Sequence, residues 1–91
     1  MEFEWDEAKN ATNLVKHRVD FHLVHTFDWA GAIIEPDNRY DYGEDRFLAR
    51  GYAEDGLGYS IVFTFRGHFI RVISIREFNR KEEKRYGRPQ E

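Results

Sequence analysis

The sequence predicts an α+β domain: two helices, an antiparallel meander of four strands and a closing helix. Three observations carry that expectation. Apolar residues recur at helical spacing near the start, strand-length apolar runs follow between residues 32 and 76, and turn chemistry (Asp55-Gly56, Arg66-Gly67-His68) separates the last runs. Ninety-one residues suffice for one modest core and are too few for two. No repeat, linker or low-complexity tract divides them, so residues 1–91 read as one domain.

The elements follow in order. Asp6 stands where a helix N-cap belongs, with Glu7 beside it at the positive end of the helix. Ala8, Ala11, Leu14 and Val15 recur on one face and predict an apolar contact; Lys9, Asn13, Lys16 and His17 form the neighbouring polar stripe. Asp20 is a second cap, and the run to Phe27 predicts a second short helix. Residues 32–35 read as a strand ended by Pro36, and 37–45 as a polar turn. Strands are expected over 46–52, 59–65 and 69–76. Asn79 caps a basic helix that runs to Gly87 and stops before Pro89.

Composition excludes several classes. There is no cysteine, hence no disulfide framework and no thiolate metal site. No apolar run approaches a membrane span and no signal peptide opens the chain, so a cytoplasmic protein with no membrane partner is expected. His22 and His25 are three apart on a helix, but two ligands without a third make a poor metal site; no metal or other cofactor is expected. Net charge is −3, unevenly spread. Residues 1–65 hold 6 Lys/Arg against 13 Asp/Glu, whereas residues 66–88 hold 8 against 3. Screening confines the distant acids to about 8 Å, so the basic third can engage a polyanion locally; a solvated helix face is the plainer alternative.

The last strand, FIRVISIR over residues 69–76, poses a question. It is apolar enough to be buried, yet Arg71 and Arg76 interrupt it, and arginine is rarely buried without a partner. In a regular strand residues five apart point to opposite faces, so only one of the two lines a given site unless a bulge intervenes. The more apolar face belongs to the core, which leaves Arg76 on the open face and Arg71 either to find a carboxylate, with Glu35, Asp37 or Glu44 as candidates, or to reach past the sheet edge.

The chain resembles the BrnT toxins of bacterial type II toxin–antitoxin systems. The resemblance rests on Phe3-Glu4-Trp5-Asp6 with Lys9, Asn13 and Lys16-His17, and on Val19, Phe21 and Phe27. It continues through Asp37-x-Arg39, Glu44-x-Arg46-Phe47, Gly51, Thr64-Phe65-Arg66-Gly67, Ile70-Arg71-Val72-Ile73-Ser74-x-Arg76, Glu82 and Tyr86. It implies a RelE-like fold, an RNA-cleaving activity that halts translation, and neutralisation by a BrnA-type ribbon-helix-helix antitoxin, through which alone DNA is bound. Metal-independent RNA cleavage needs a base for the ribose 2′-OH, an acid for the leaving 5′-oxygen and cations for the phosphorane. On the resemblance, Lys16, His17, Arg66, Arg76 and Glu82 are the catalytic candidates, and Lys9, Arg71, Arg80 and Tyr86 the substrate contacts. Glu82 is open to two roles, general base or surface ion pair with Lys81 or Arg85; Tyr86 either stacks on a base or packs. The sequence departs from the family pattern at Arg18, where glycine is usual, at Ile75 and at Glu77-Phe78; the last two are expected to crowd and partly neutralise the site. A catalytically weak or inactive toxin-fold protein acting mainly as an antitoxin-binding and co-repressor module is the competing reading.

Overall fold

One sheet of five strands organises the chain, and a computed structural model describes residues 1–87 of it. The elements are β1 (Glu2–Glu4), α1 (Glu7–His17), a 3₁₀ helix (Phe21–His25), β2 (Ile33–Pro36), β3 (Phe47–Tyr52), β4 (Gly58–Arg66), β5 (Phe69–Glu77) and α2 (Arg80–Tyr86). The spatial order is β1-β5-β4-β3-β2. Strands β2 to β5 form the expected antiparallel meander. The helix stop expected before Pro89 lies outside the described residues.

Two expectations are corrected. The sheet has five strands and is mixed, because Glu2–Glu4 pairs in parallel with Phe69–Arg71. Three residues carry no period that would reveal a strand; β5 recruits them because its outer edge is otherwise unpaired. The second helix is a single 3₁₀ segment capped by Asp20, whose carboxylate accepts from the His22 N–H at 2.9 Å. Its Phe21 and Val24 reach the core, and so short an element suits a connector.

One face of the sheet is the core. Phe21, Phe63, Ile61, Ile75, Val24 and Val72 are its largest fully buried side chains, with Ala49, Ile70 and Phe27 joining them. The 3₁₀ helix covers that face, and α2 covers part of the other through side chains described below.

The packing of α1 also departs from expectation. Ala8, Ala11, Leu14 and Val15 all point outward, Val15 being 85% exposed, while Asn10 and Asn13 are buried. The physical reason is what this helix meets. It lies against the backbone edge of β5 and the chain reversal at 18–21, where N–H and C=O groups need polar partners. Two asparagines supply them and methyl groups do not. The reversal itself requires a left-handed residue, and Arg18 takes that conformation (φ 60°, ψ 29°) as the α1 C-cap.

Candidate active site

A bulge in β5 resolves the question of its arginines. Phe63 pairs with Val72 but Val62 pairs with Ser74, so Ile73 is an extra residue that reverses the alternation of side chains. Ile70, Val72 and Ile75 therefore share the core face, and Arg71, Ser74 and Arg76 share the open one. The expected opposition of Arg71 and Arg76 is overturned. Thr64, Val62 and Ser60 of β4, and Leu48 and Arg50 of β3, line the same face by register.

At one end of this face a buried carboxylate gathers the polar groups. Glu82 is the third residue of α2 and is 6% exposed. Its Oε1 accepts from Arg76 Nη1 (2.5 Å) and from the Asn79 N–H (3.0 Å). Its Oε2 accepts from Ser60 Oγ (2.5 Å), Arg76 Nη2 (3.2 Å) and Arg50 Nε (3.3 Å). Local sequence sets this up: Asn79 and Glu82 form a reciprocal capping box, which fixes the first turn of α2 and turns the carboxylate toward the sheet. Burial pushes the Glu82 carboxyl up, but the bonds from Arg76, Ser60 and Asn79 and the Arg76 charge outweigh it and hold the group at about 2. So acidic and fully engaged a carboxylate is a poor proton acceptor near neutrality. Its ion-pair partners are Arg76 and Arg50, where Lys81 or Arg85 was expected.

Arg50 continues the network. Its Nη1 donates to Glu35 at 3.3 Å and to the Tyr86 hydroxyl at 3.2 Å, and its guanidinium lies 5.0 Å from the Tyr86 ring centroid. Tyr86 is thus tied down from both ring and hydroxyl. Arg50, Arg76, Lys81, Arg85 and Tyr86 line a concavity of about 220 Å³.

A second concavity, about 340 Å³, lies between α1 and the bulge. Lys9, Lys16 and His17 line it from the helix, and Ile73 and Ser74 from the strand. Ser74 and Arg76 are on one face about 7 Å apart along β5, so the two concavities adjoin. The His17 imidazole is lowered from its usual 6.5, first by burial and then by the charges of Lys16 and Arg76.

Two comparisons with known proteins bear on this geometry. The family model described as ribonuclease toxin, BrnT, of type II toxin–antitoxin system matches residues 5–82. The chain belongs to the BrnT family. The Brucella abortus ribonuclease toxin BrnT has a crystal structure similar to this fold, with a TM-score of 0.73 and 28% identity over 88% of this chain and 99% of that one. Among curated proteins none matches.

The BrnT-family residues singled out in the sequence separate into groups. Lys9, Lys16 and His17 come together beside Ser74; Arg76, Glu82 and Tyr86 come together beneath α2. Arg71 is about 13 Å from the Arg76 position, four pairs along β4, and donates from Nη1 to Glu4 Oε2 at 3.2 Å. Its three expected partners are engaged elsewhere: Glu35 by Arg50, Asp37 by Arg39 and Tyr42, Glu44 by Arg46. Arg66 is exposed at the far end of β4, about 20 Å from the Arg76 position. Arg80 is exposed on the first turn of α2.

The family departures do not crowd the site. Ile75 is fully buried in the core. Phe78 lies on Gly58, so closely that any Cβ there would clash, and packs on Tyr52 and Tyr86; neither it nor Glu77 lines either concavity. Sequence reasoning missed Arg50 and Ser60, and had Ser74 only as a motif residue and Asn79 only as a helix cap. Arg50 carried a readable signal, since it interrupts the apolar run of β3 as Arg71 and Arg76 interrupt β5. No group of three His, Cys, Asp or Glu side chains is placed to hold a metal ion among the described residues. There, too, no helix is long and apolar enough to cross a membrane.

Proposed function

We propose that this chain is a metal-independent endoribonuclease that inhibits translation, using the joined concavities at the β5 bulge. The observation that carries the reading is that His17 and Lys16 line one concavity with Ser74, and that Arg76, two residues on along the same face, is near enough for its charge to bear on His17. A histidine whose proton affinity is lowered stays neutral near physiological pH, as a base for the ribose 2′-OH must. The 2′-oxygen attacks the adjacent phosphorus, the P–O5′ bond breaks, and Lys16 hands a proton to the departing 5′-oxygen. The products are a 2′,3′-cyclic phosphate and a 5′-hydroxyl. Arg76 stabilises the charge that builds on the phosphorane; Glu82 takes two of the Arg76 N–H groups and the Glu77 carbonyl a third, which fixes the plane of the rest. Lys9 extends the cationic surface along the RNA backbone. Glu82 acts in this reading through Arg76 and not as the base.

Family membership implies an antitoxin partner. The partner proposed is a BrnA-type ribbon-helix-helix protein, with DNA bound only through it. The alternative of a degenerate binding module draws no support from Glu77 and Phe78, which line neither concavity.

The test is incubation of the purified chain with an unstructured oligoribonucleotide in excess chelator. Cleavage leaving cyclic phosphate ends, abolished by His17→Ala and lowered about 10²-fold by Arg76→Ala, is the expected result. An intact substrate, or cleavage that chelator stops, overturns the reading.

A further inference from the structure

We propose that Asn13 is the positioning residue that fixes the spacing between Lys16-His17 and Ser74-Arg76; the inference rests on the ribonuclease reading above. β1 covers the outer edge of β5 only from Phe69 to Arg71. Past the Ile73 bulge, the Asn13 side chain takes over that edge. Its Oδ1 accepts from the Ile75 N–H at 3.1 Å, and its Nδ2 donates to the Ile75 C=O at 2.8 Å. A neighbouring strand residue makes the same reciprocal pair of bonds, so one primary amide stands in for a strand. Nδ2 also donates to the Val19 carbonyl at 3.0 Å, which locks the chain reversal to the same point.

The placement gives this clamp its consequence. Ile75 separates Ser74 from Arg76, and Asn13 lies one helical turn before Lys16 and His17. Loosening the amide lets the helix half of the site move against the strand half. Asn10 provides an internal contrast. It is as buried as Asn13, 7% against 6%, yet its bonds run to the Phe21 N–H at 2.9 Å and to Asp20 at 3.2 Å. It secures the start of the 3₁₀ helix and touches neither half of the site.

Asn13→Ala and Asn10→Ala in the full chain test the proposal. In the unsubstituted protein, the Ile75 amide is expected to exchange as slowly as mid-strand amides of β4; exchange at the rate of an exposed amide overturns the clamp. By NMR titration, the His17 midpoint rises toward 6.5 in Asn13→Ala, as burial and the Arg76 charge are lost, and stays put in Asn10→Ala. Cleavage of an unstructured oligoribonucleotide falls about tenfold to a hundredfold further in Asn13→Ala than in Asn10→Ala. Equal midpoints and equal cleavage in the two variants overturn the proposal. If Asn13→Ala does not fold, Asn13→Ser, which keeps a hydroxyl for one of the two Ile75 bonds, carries the same readouts. If the unsubstituted chain cleaves no RNA, the ribonuclease reading falls, while exchange and the His17 midpoint still decide whether Asn13 sets the spacing.

Discussion

Arg71 and Arg76 lie on one strand and one face, and each is paired with a carboxylate, yet the two ends of that face are built differently. Arg71 makes one 3.2 Å bond to Glu4, whose side chain is 34% exposed on a three-residue strand. Arg76 meets Glu82, whose side chain is 8% exposed, and which also holds Ser60, Arg50 and the start of α2. The arginines themselves are similarly accessible, 22% and 34%. What distinguishes the two ends is the carboxylate: one is a surface partner, the other a buried hub that ties the start of α2 to three strands.

That contrast can be broken from the carboxylate side first. Glu82→Ala leaves Arg50 and Ser60 without their shared acceptor, and the expected loss is about 3 kcal/mol of unfolding free energy. Glu4→Ala, the matching cut at the other end, is expected to cost less than about 1 kcal/mol. Urea unfolding of both variants checks the pair, and equal losses would erase the distinction. On activity, Arg76→Ala is expected to lower RNA cleavage about 10²-fold, the scale for removing one donor to a developing oxyanion. Arg71→Ala should change cleavage far less, and a comparable drop would move the active surface toward the β1 end.

Acid sharpens the comparison further. The Glu82 pKa is depressed in the folded chain, from 4.5 to about 2, so its stabilisation is complete above 4.5 and drains away as pH falls toward 2. Asp37, which Arg39 holds at about 2, contributes over a similar range. Glu82→Gln should therefore shrink, without abolishing, the stability difference between about pH 6 and pH 3, as urea unfolding at the two pH values would show. The smallest effect expected is at Arg18, away from both ends. Its left-handed backbone favours glycine, and Arg18→Gly should raise stability by about 0.5 kcal/mol once the greater freedom of unfolded glycine is counted. A fall in melting temperature would instead point to a contact made by the Arg18 side chain.

Much of the frame was legible in the residues. The four meander strands, both asparagine and aspartate caps of the outer helices, and the turns at Gly56 and Gly67 follow from local pattern. The site was legible in part. His17, Lys16 and Arg76 were named as candidates and Arg76 was expected on the open face, but not the reason Arg71 shares that face with it. That reason is Ile73, an apolar residue in an apolar strand whose bulged state leaves no mark on composition. The inverted packing of α1 was hidden for a related cause. Hydrophobic period reports what a helix offers an apolar partner, and this helix meets backbone.

The sequence by itself determined the α+β class, the order of the meander strands and the basic C-terminal third, because propensity, period and charge are properties of short segments. Only the tertiary structure decided that β1 is a strand, that Arg71 and Arg76 share a face, and that Glu82 is buried and pairs with Arg50. Those outcomes turn on which backbone edges stay unpaired and which charges lose water together. Such conditions exist only once distant segments are in contact.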